Sequence, residues 1–313
     1  MAIALFRAKG RHTMRKHTSR LLASVSLLAA LGPLASEAAA PKAPYSLPWQ
    51  LRPTAAVNVL RSDTSLALSS TDATGDSVTT ATMLLASYKI TPHLSPLVRL
   101  GYVDHAPGVG SPGAALVNPV LGAIYSHDVS ETLRLGFFLG FTLPVGMGGG
   151  NTPEPATAAA ARAGIPARSA MDNAMFAVND FTVFPGVGLS YVAGGFTAQV
   201  EATVLQLTRV RGEAVQPDKS RTNFTSGLHL GYFLHPVVSV GGELRYQRWL
   251  STPSTVTSDE LRDNLTLAAG PRFHIKLSDK VIIRPGLSYA FALDAPMKTS
   301  DYSLFQLDVP VIF

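Results

Sequence analysis

Residues 302–313, YSLFQLDVPVIF, close the chain, and every second residue back from the last is large and apolar: Phe313, Val311, Val309, Leu307 and Phe305. The residues between them, Ile312, Pro310, Asp308, Gln306 and Leu304, are mixed and partly polar. Side chains along a strand alternate between its two faces, so the segment reads as a strand with one greasy face, running to the final residue. Termini normally fray, and an unpaired strand edge invites aggregation. A strand in this position needs a partner.

The same period of two recurs upstream. RLGFFLGFTLPV (134–145) sets Leu135, Phe137, Leu139, Phe141, Leu143 and Val145 against Arg134, Gly136, Phe138, Gly140, Thr142 and Pro144. NLTLAAGPRFHIKL (264–277) and VIIRPGLSYAFAL (281–293) repeat the pattern, with one bulky apolar face and one small or charged face. Alternation alone does not say which face meets water. Length does: these runs exceed the roughly 5–6 residues of a globular strand and match the ~9–11 of a tilted membrane strand with short extensions.

Twelve candidate strands follow, over 49–61, 77–90, 94–106, 115–127, 131–146, 181–193, 195–210, 222–234, 236–250, 263–277, 280–294 and 301–313. The connections alternate. Those after even-numbered strands are short, as at Gly194 or His235, and those after odd-numbered strands are longer, as at 62–76, 212–221 and 251–263. The longest spans 147–180. An all-β fold is expected: a closed antiparallel 12-stranded transmembrane β-barrel with short periplasmic turns and long outer loops.

The beginning of the chain fits that compartment. Arg7, Lys9, Arg11, Arg15, Lys16 and Arg20 precede the apolar run LLASVSLLAALGPLA (21–35), and Ala38, Ala39 and Ala40 precede Pro41. This is the pattern of a secretory signal peptide, so residues 1–40 are expected to be cleaved after Ala40, leaving 41–313 as the barrel. Six of the 26 basic residues and one of the 21 acidic ones lie in that leader, which leaves 20 of each. The remaining chain has no net charge to attract nucleic acid. It has no cysteine, so no disulfide supports it.

The final Phe with apolar residues at every second position upstream resembles the C-terminal signature of outer-membrane barrels. The resemblance implies that Phe305, Leu307, Val309, Val311 and Phe313 are read by the barrel-assembly machinery, and that strand twelve closes on strand one. WQLRPTAAVNVLR (49–61), NPVLGAIY (118–125), LGFTLPVGMGGG (139–150), FPGVGLSYV (184–192) and RPGLSYAF (284–291) resemble the outer-membrane channels grouped as "MetA-pathway of phenol degradation". That group is similar to the FadL-like channels for fatty acids and aromatic hydrocarbons. FadL-like proteins have fourteen strands and an N-terminal hatch. Here only residues 41–47 precede the first candidate strand, so no hatch is expected.

With the greasy face turned to lipid, the lumen face collects Arg99, Arg134, Glu201, His229, Glu243, Arg245, Gln247, Arg272, His274, Lys276, Arg284, Gln306 and Asp308. Two arrangements fit. One is a basic eyelet favouring anionic or polar solutes. The other is a ladder of internal ion pairs, Glu243 and Asp308 against Arg245, Arg272 and Arg284. The long connection carries two helix-prone stretches, 156–163 and 169–178, and either folds into the mouth or caps it. Pro119, Pro144, Pro185, Pro271, Pro285 and Pro310 fall within candidate strands, where each removes a ladder hydrogen bond and predicts a bulge, a kink or a lateral opening in the wall.

No G-x-S-x-G or H-x-x-x-H arrangement occurs, so neither catalytic residues nor metal or cofactor ligands are expected. The expected function is a channel in the bacterial outer membrane for small solutes, hydrophobic or aromatic ones included. The partners would be outer-membrane lipid, the assembly machinery and the solute. A plugged barrel that acts through its surface is the alternative, and a lipid-modifying enzyme the remote one.

Overall fold

A computed structural model describes residues 45–73 and 75–313; the expected leader, residues 1–40, lies outside them. Twelve antiparallel strands close into a barrel. They are β1 (Val59–Thr71), β2 (Gly75–Ser87), β3 (Leu94–Ala106), β4 (Gly113–Leu116 and Val120–Asp128), β5 (Leu133–Thr142), β6 (Asp180–Ala193) and β7 (Phe196–Arg209). The wall continues through β8 (Ser220–His235), β9 (Val238–Trp249), β10 (Asp263–Phe273 and Ile275–Lys276), β11 (Ile282–Ile283 and Gly286–Ala292) and β12 (Ser303–Ile312).

The seam lies between β1 and β12, in continuous register from Val59 opposite Ile312 to Leu68 opposite Ser303. The Phe313 N–H then donates to the Asn58 carbonyl at 3.2 Å. No edge is left on the sheet, the only way a sheet satisfies its backbone in lipid. Alternation sets the two faces. Leu60, Phe137, Leu139, Leu287, Phe305 and Leu307 are exposed on the outer wall, whereas Asp63, Ser65, Thr266, Gln306 and Asp308 are buried inside.

The first strand differs from its expected place. Residues 49–58 carry a period-two pattern but do not enter the wall; β1 begins at Val59. The stretch contains Pro53, which cannot donate to a ladder. The lipid-facing set of β1 is Leu60, Leu66 and Leu68, and the last two lie in what reads as a loop. The expected long connection over 62–76 is therefore a tight turn between Thr71 and Gly75. From there on, short connections at the termini end of the barrel alternate with longer ones at the opposite, loop end.

The prolines act unequally. Pro119 lies where β4 is interrupted, between Leu116 and Val120. Pairing of β6 with β7 lapses at Phe184 and Pro185. Pairing lapses between β10 and β11 at Gly270 and Pro271, and between β11 and β12 at Arg284 and Pro285, opposite Val309 and Pro310. Pro144 lies beyond the end of β5. The seam ladder runs through Pro310 without interruption.

Candidate functional site

The barrel is filled from both ends. At the termini end, residues 45–58 form an irregular segment lodged inside the wall, with Ser46, Leu47, Trp49, Leu51 and Thr54 buried. An irregular backbone has no ladder to satisfy it, so wall side chains must do so. Glu243 accepts the N–H groups of Trp49 (2.7 Å) and Gln50 (3.0 Å). Glu201 accepts the Arg52 N–H at 2.7 Å, and Gln199 donates to the Arg52 carbonyl at 2.7 Å. Arg272 donates to the Leu47 carbonyl at 3.0 Å and Arg61 to the Pro48 carbonyl at 3.1 Å. The Arg52 guanidinium lies 4.6 Å from the Phe138 ring centre. An N-terminal hatch is thus present, against expectation. It is built from residues that imitate a strand.

The inward glycines make room for it. A Cβ on Gly227 would come 2.6 Å from Leu51 Cδ1, one on Gly231 2.4 Å from Ser46 Oγ, and one on Gly286 2.9 Å from Trp49 Nε1. The small face read from the sequence is the imprint of this segment. Gly227→Leu is expected to displace residues 45–58 while leaving the barrel folded. Protease cleavage near residue 50 would appear in a protein that keeps its heat-modifiable gel mobility; an uncleaved variant would contradict the packing.

At the loop end, the long connection between β5 and β6 folds inward as α1 (Pro155–Ala167) and α2 (Asn173–Phe176). Glu154 caps α1, accepting from the N–H groups of Ala156 (3.0 Å) and Thr157 (2.6 Å), and Pro155 sits at the first turn, where no N–H is needed. A Cβ on Gly113 would lie 2.3 Å from the Ala156 carbonyl, so α1 rests directly on the wall. The interruption of β4 has a use. Its Asn118 is fully buried, and it donates through Nδ2 to the Ala177 carbonyl (2.8 Å) and accepts the Gly146 N–H (2.9 Å), strapping the base of the insert.

Between the helices the chain turns through Ser169 and Ala170, both with left-handed backbone at φ 51° and 56°. Side-chain-bearing residues resist this conformation. The turn aims Arg168 and Asp172 into the lumen. Arg168, fully buried, grips Asp63 with both terminal nitrogens (2.8 and 2.6 Å) and reaches Asp172 through Nε at 2.9 Å. Asp172 is held in turn by a two-pronged contact from Arg99, one prong at 2.8 Å. From Asp63 the chain of contacts runs to Gln306 (2.7 Å), Arg245 (3.0 Å) and Glu243 (2.7 Å). Glu243 is also the acceptor for the N-terminal segment, so one polar network joins the insert to the hatch.

Burial disfavours the charged form of Asp172, but Arg99 and Arg168 outweigh it and hold this carboxyl well below the usual carboxylate range. A depressed folded-state pKa contributes stability above the unfolded value and loses it as pH falls through the folded one. Docking of the insert is therefore expected to hold from pH 8 down through pH 4 and to fail only in stronger acid. Hydrogen exchange of residues 168–176 across that range measures it; release near pH 5 would contradict the ion-pair account.

Between hatch and insert lies a cavity of about 270 Å³. Its walls are mainly apolar, with Met83, Leu97, Ile124, Phe138, Met175 and Phe184 prominent, and Trp49 and Leu51 come from the hatch. Arg52, Arg61, Arg99, Arg134 and Arg284 also line it. Among the described residues no group of His, Asp and Glu could hold a metal ion.

The lumen-face residues named from sequence divide between these parts. Glu201, Glu243 and Arg272 bind the hatch, while Arg245 and Gln306 carry the network. Arg272 and Arg61 share Asp308, each at 2.6 Å. Arg99 and Arg134 face the cavity, paired with Asp172 and Asp128. His229 packs edge-on against Trp49, ring centres 5.8 Å apart, and His274 bonds to Ser239 Oγ at 2.9 Å. They do not converge on one eyelet. Of the expected ladder, the Glu243–Arg245 and Asp308–Arg272 pairs occur; Arg284 instead lines the cavity. Phe305, Leu307 and Phe313 are exposed on the outside, with Val309 and Val311 half-buried. Sequence reasoning missed Arg52, Arg61, Asp63, Arg168 and Asp172. For Arg61 and Asp63 the signal was present, since they alternate with Leu60, Leu66 and Leu68 once the strand is moved forward.

No family model and no curated protein sequence matches the chain. Solved structures share its architecture. An outer-membrane channel from Pseudomonas putida superposes with a TM-score of 0.52 at 14% identity, over 85% of this chain and 98% of that one. The NanC porin covers 81% of this chain and 98% of its own at 9% identity and a TM-score of 0.49. A FadL homologue of Pseudomonas aeruginosa covers 82% and 90% at 9% identity and a TM-score of 0.41. At 14% identity the likeness to the Pseudomonas putida channel is one of fold.

Proposed function

We propose that the chain is an outer-membrane channel that rests closed and passes small solutes through a binding cavity, rather than an open pore. The observation that carries this is the cavity itself, set between hatch and insert and lined by apolar side chains and arginines. A barrel filled only for rigidity would gain nothing from leaving such a space at its centre. The greasy outer wall supports an outer-membrane location, with lipid around the belt and the terminal Phe305–Phe313 alternation available to the assembly machinery. Passage requires one of the two inserted segments to move. The insert is the better candidate, because residues 143–154 leave α1 slack on the β5 side, while the short link 177–179 to β6 can act as its hinge.

The filled lumen also favours a second reading, a plugged barrel that works through its surface. Planar-bilayer recording separates the two. The intact protein is expected to show rare, brief openings, and a variant lacking residues 150–178 a steady, larger conductance. Silence in both forms would reject the channel and leave the surface reading.

A further inference from the structure

We infer that the cavity takes a small, flat, apolar solute bearing one negative charge, with Arg284 as the seat of that charge; the inference rests on the channel reading above. Five arginines line the cavity. Four already have carboxylates: Arg52 has Glu201, Arg61 has Asp308, Arg99 has Asp172 and Arg134 has Asp128. The acidic groups in the lining, Asp63 and Asp172, are both held by Arg168. Among the described residues, Arg284 has no carboxylate in ion-pair range. Its Nη1 makes a long contact to the Tyr45 carbonyl at 3.4 Å, and its Nε is buried without a partner.

Tyr45 does not supply the missing charge. Burial pushes its hydroxyl above the ordinary value, with nearby Arg134 offsetting only part of the rise, so it stays a neutral phenol. Arg284 also occupies a prepared place. It lies at the break in β11, its own N–H held by the Pro310 carbonyl at 2.9 Å, where Pro285 and Pro310 suspend the ladder. A part-buried guanidinium without a counter-ion is costly, and an anionic ligand relieves that cost through charge-assisted hydrogen bonds.

The rest of the lining sets the body of the solute. Met83, Met175 and Phe138 offer thioethers and an aromatic ring, which suit a flat aromatic body. The volume is under twice that of the dry cavity of about 150 Å³ that accepts benzene. One ring with a short acidic substituent fits, and a long acyl chain does not.

The test uses the purified protein in detergent micelles, titrated with benzoate, benzyl alcohol and benzylamine. Binding is read from Trp49 fluorescence in a Trp249→Phe background. Benzoate is expected to bind about tenfold or more tightly than benzyl alcohol, with benzylamine weakest. Arg284→Gln should erase that preference and Arg284→Lys keep part of it, both variants retaining heat-modifiable mobility. Equal affinity for benzoate and benzyl alcohol in the parent protein overturns the inference, and so does a benzoate preference that survives Arg284→Gln. Absence of binding by all three also overturns it, without touching a conductance seen in bilayers. Charge-selective binding in a barrel that never conducts would uphold the seat and reject the channel.

Discussion

Replacing Arg168 by alanine is expected to release the insert from the lumen. Arg168 is fully buried and satisfies Asp63 with two hydrogen bonds and Asp172 with a third. Removing one partner of a buried pair typically costs about 3–5 kcal/mol, because the other charge is left uncompensated. Here the cost falls on the docked state, since an undocked insert returns Asp63 to water entering the lumen. The closed-to-open equilibrium should shift by about a hundredfold or more. In bilayers the variant should open for most of the record, and external protease should cut between residues 150 and 178. The double variant Arg168→Ala, Asp63→Ala should conduct less than the single one, because the second change removes the orphaned charge that penalises the docked state. A single variant with parental gating would show that the apolar face of the insert, not the ion pairs, holds it.

The second large effect concerns Glu243. Glu243→Ala orphans the N–H groups of Trp49 and Gln50 and leaves the fully buried Arg245 without its carboxylate. The loss again falls in the range of about 3–5 kcal/mol, and here it weakens the hatch directly and the insert indirectly, through Ser169 at 3.2 Å from Arg245. Both residues 45–58 and residues 168–176 should therefore exchange hydrogen faster in this one variant. Glu243→Gln keeps one acceptor and should weaken the hatch less. If only the hatch loosened in Glu243→Ala, the network would not be a link between the two ends.

The barrel itself was legible because lipid imposes one rule on every strand. Leu133 to Phe141 or Phe305 to Phe313 must put a bulky group outside at each second position, and that period survives in the sequence undiluted. That period placed eleven of the strands near their true spans. The first strand was misplaced because residues 49–58 also alternate, although for another reason. Trp49, Leu51 and Thr54 pack into glycine niches inside the wall, and Arg52 turns toward Glu201 and Phe138. A segment bound against a pleated surface inherits the period of that surface.

The site was half legible for a related reason. Charged residues on the small face of a strand must point inward, so Glu243, Arg272 and Asp308 could be named. Their partners could not. Asp63 and Arg61 were hidden by the shifted strand, and Arg168 and Asp172 belong to a loop whose inward fold depends on tertiary contacts with no local signal. The ladder drawn from sequence set three arginines against Glu243 and Asp308, and Arg61 takes a share of the second acid. The cation left over is the one on which the ligand inference rests.

The occupation of the lumen by residues 45–58 is the premise of all of this, and the absence of native cysteine allows a direct test. Thr54 Oγ1 and Ser190 Oγ lie 2.6 Å apart, hatch against wall. The pair Thr54→Cys, Ser190→Cys is expected to form a disulfide in intact membranes without added catalyst, as should Ser69→Cys, Ser77→Cys, whose parent oxygens lie 2.7 Å apart across β1 and β2. Non-reducing gels after thiol blocking read both. A cross-link in each pair is the predicted result. Bonding in the wall pair with free thiols at positions 54 and 190 would mean that the segment lies elsewhere, and the closed-channel account would fall with it.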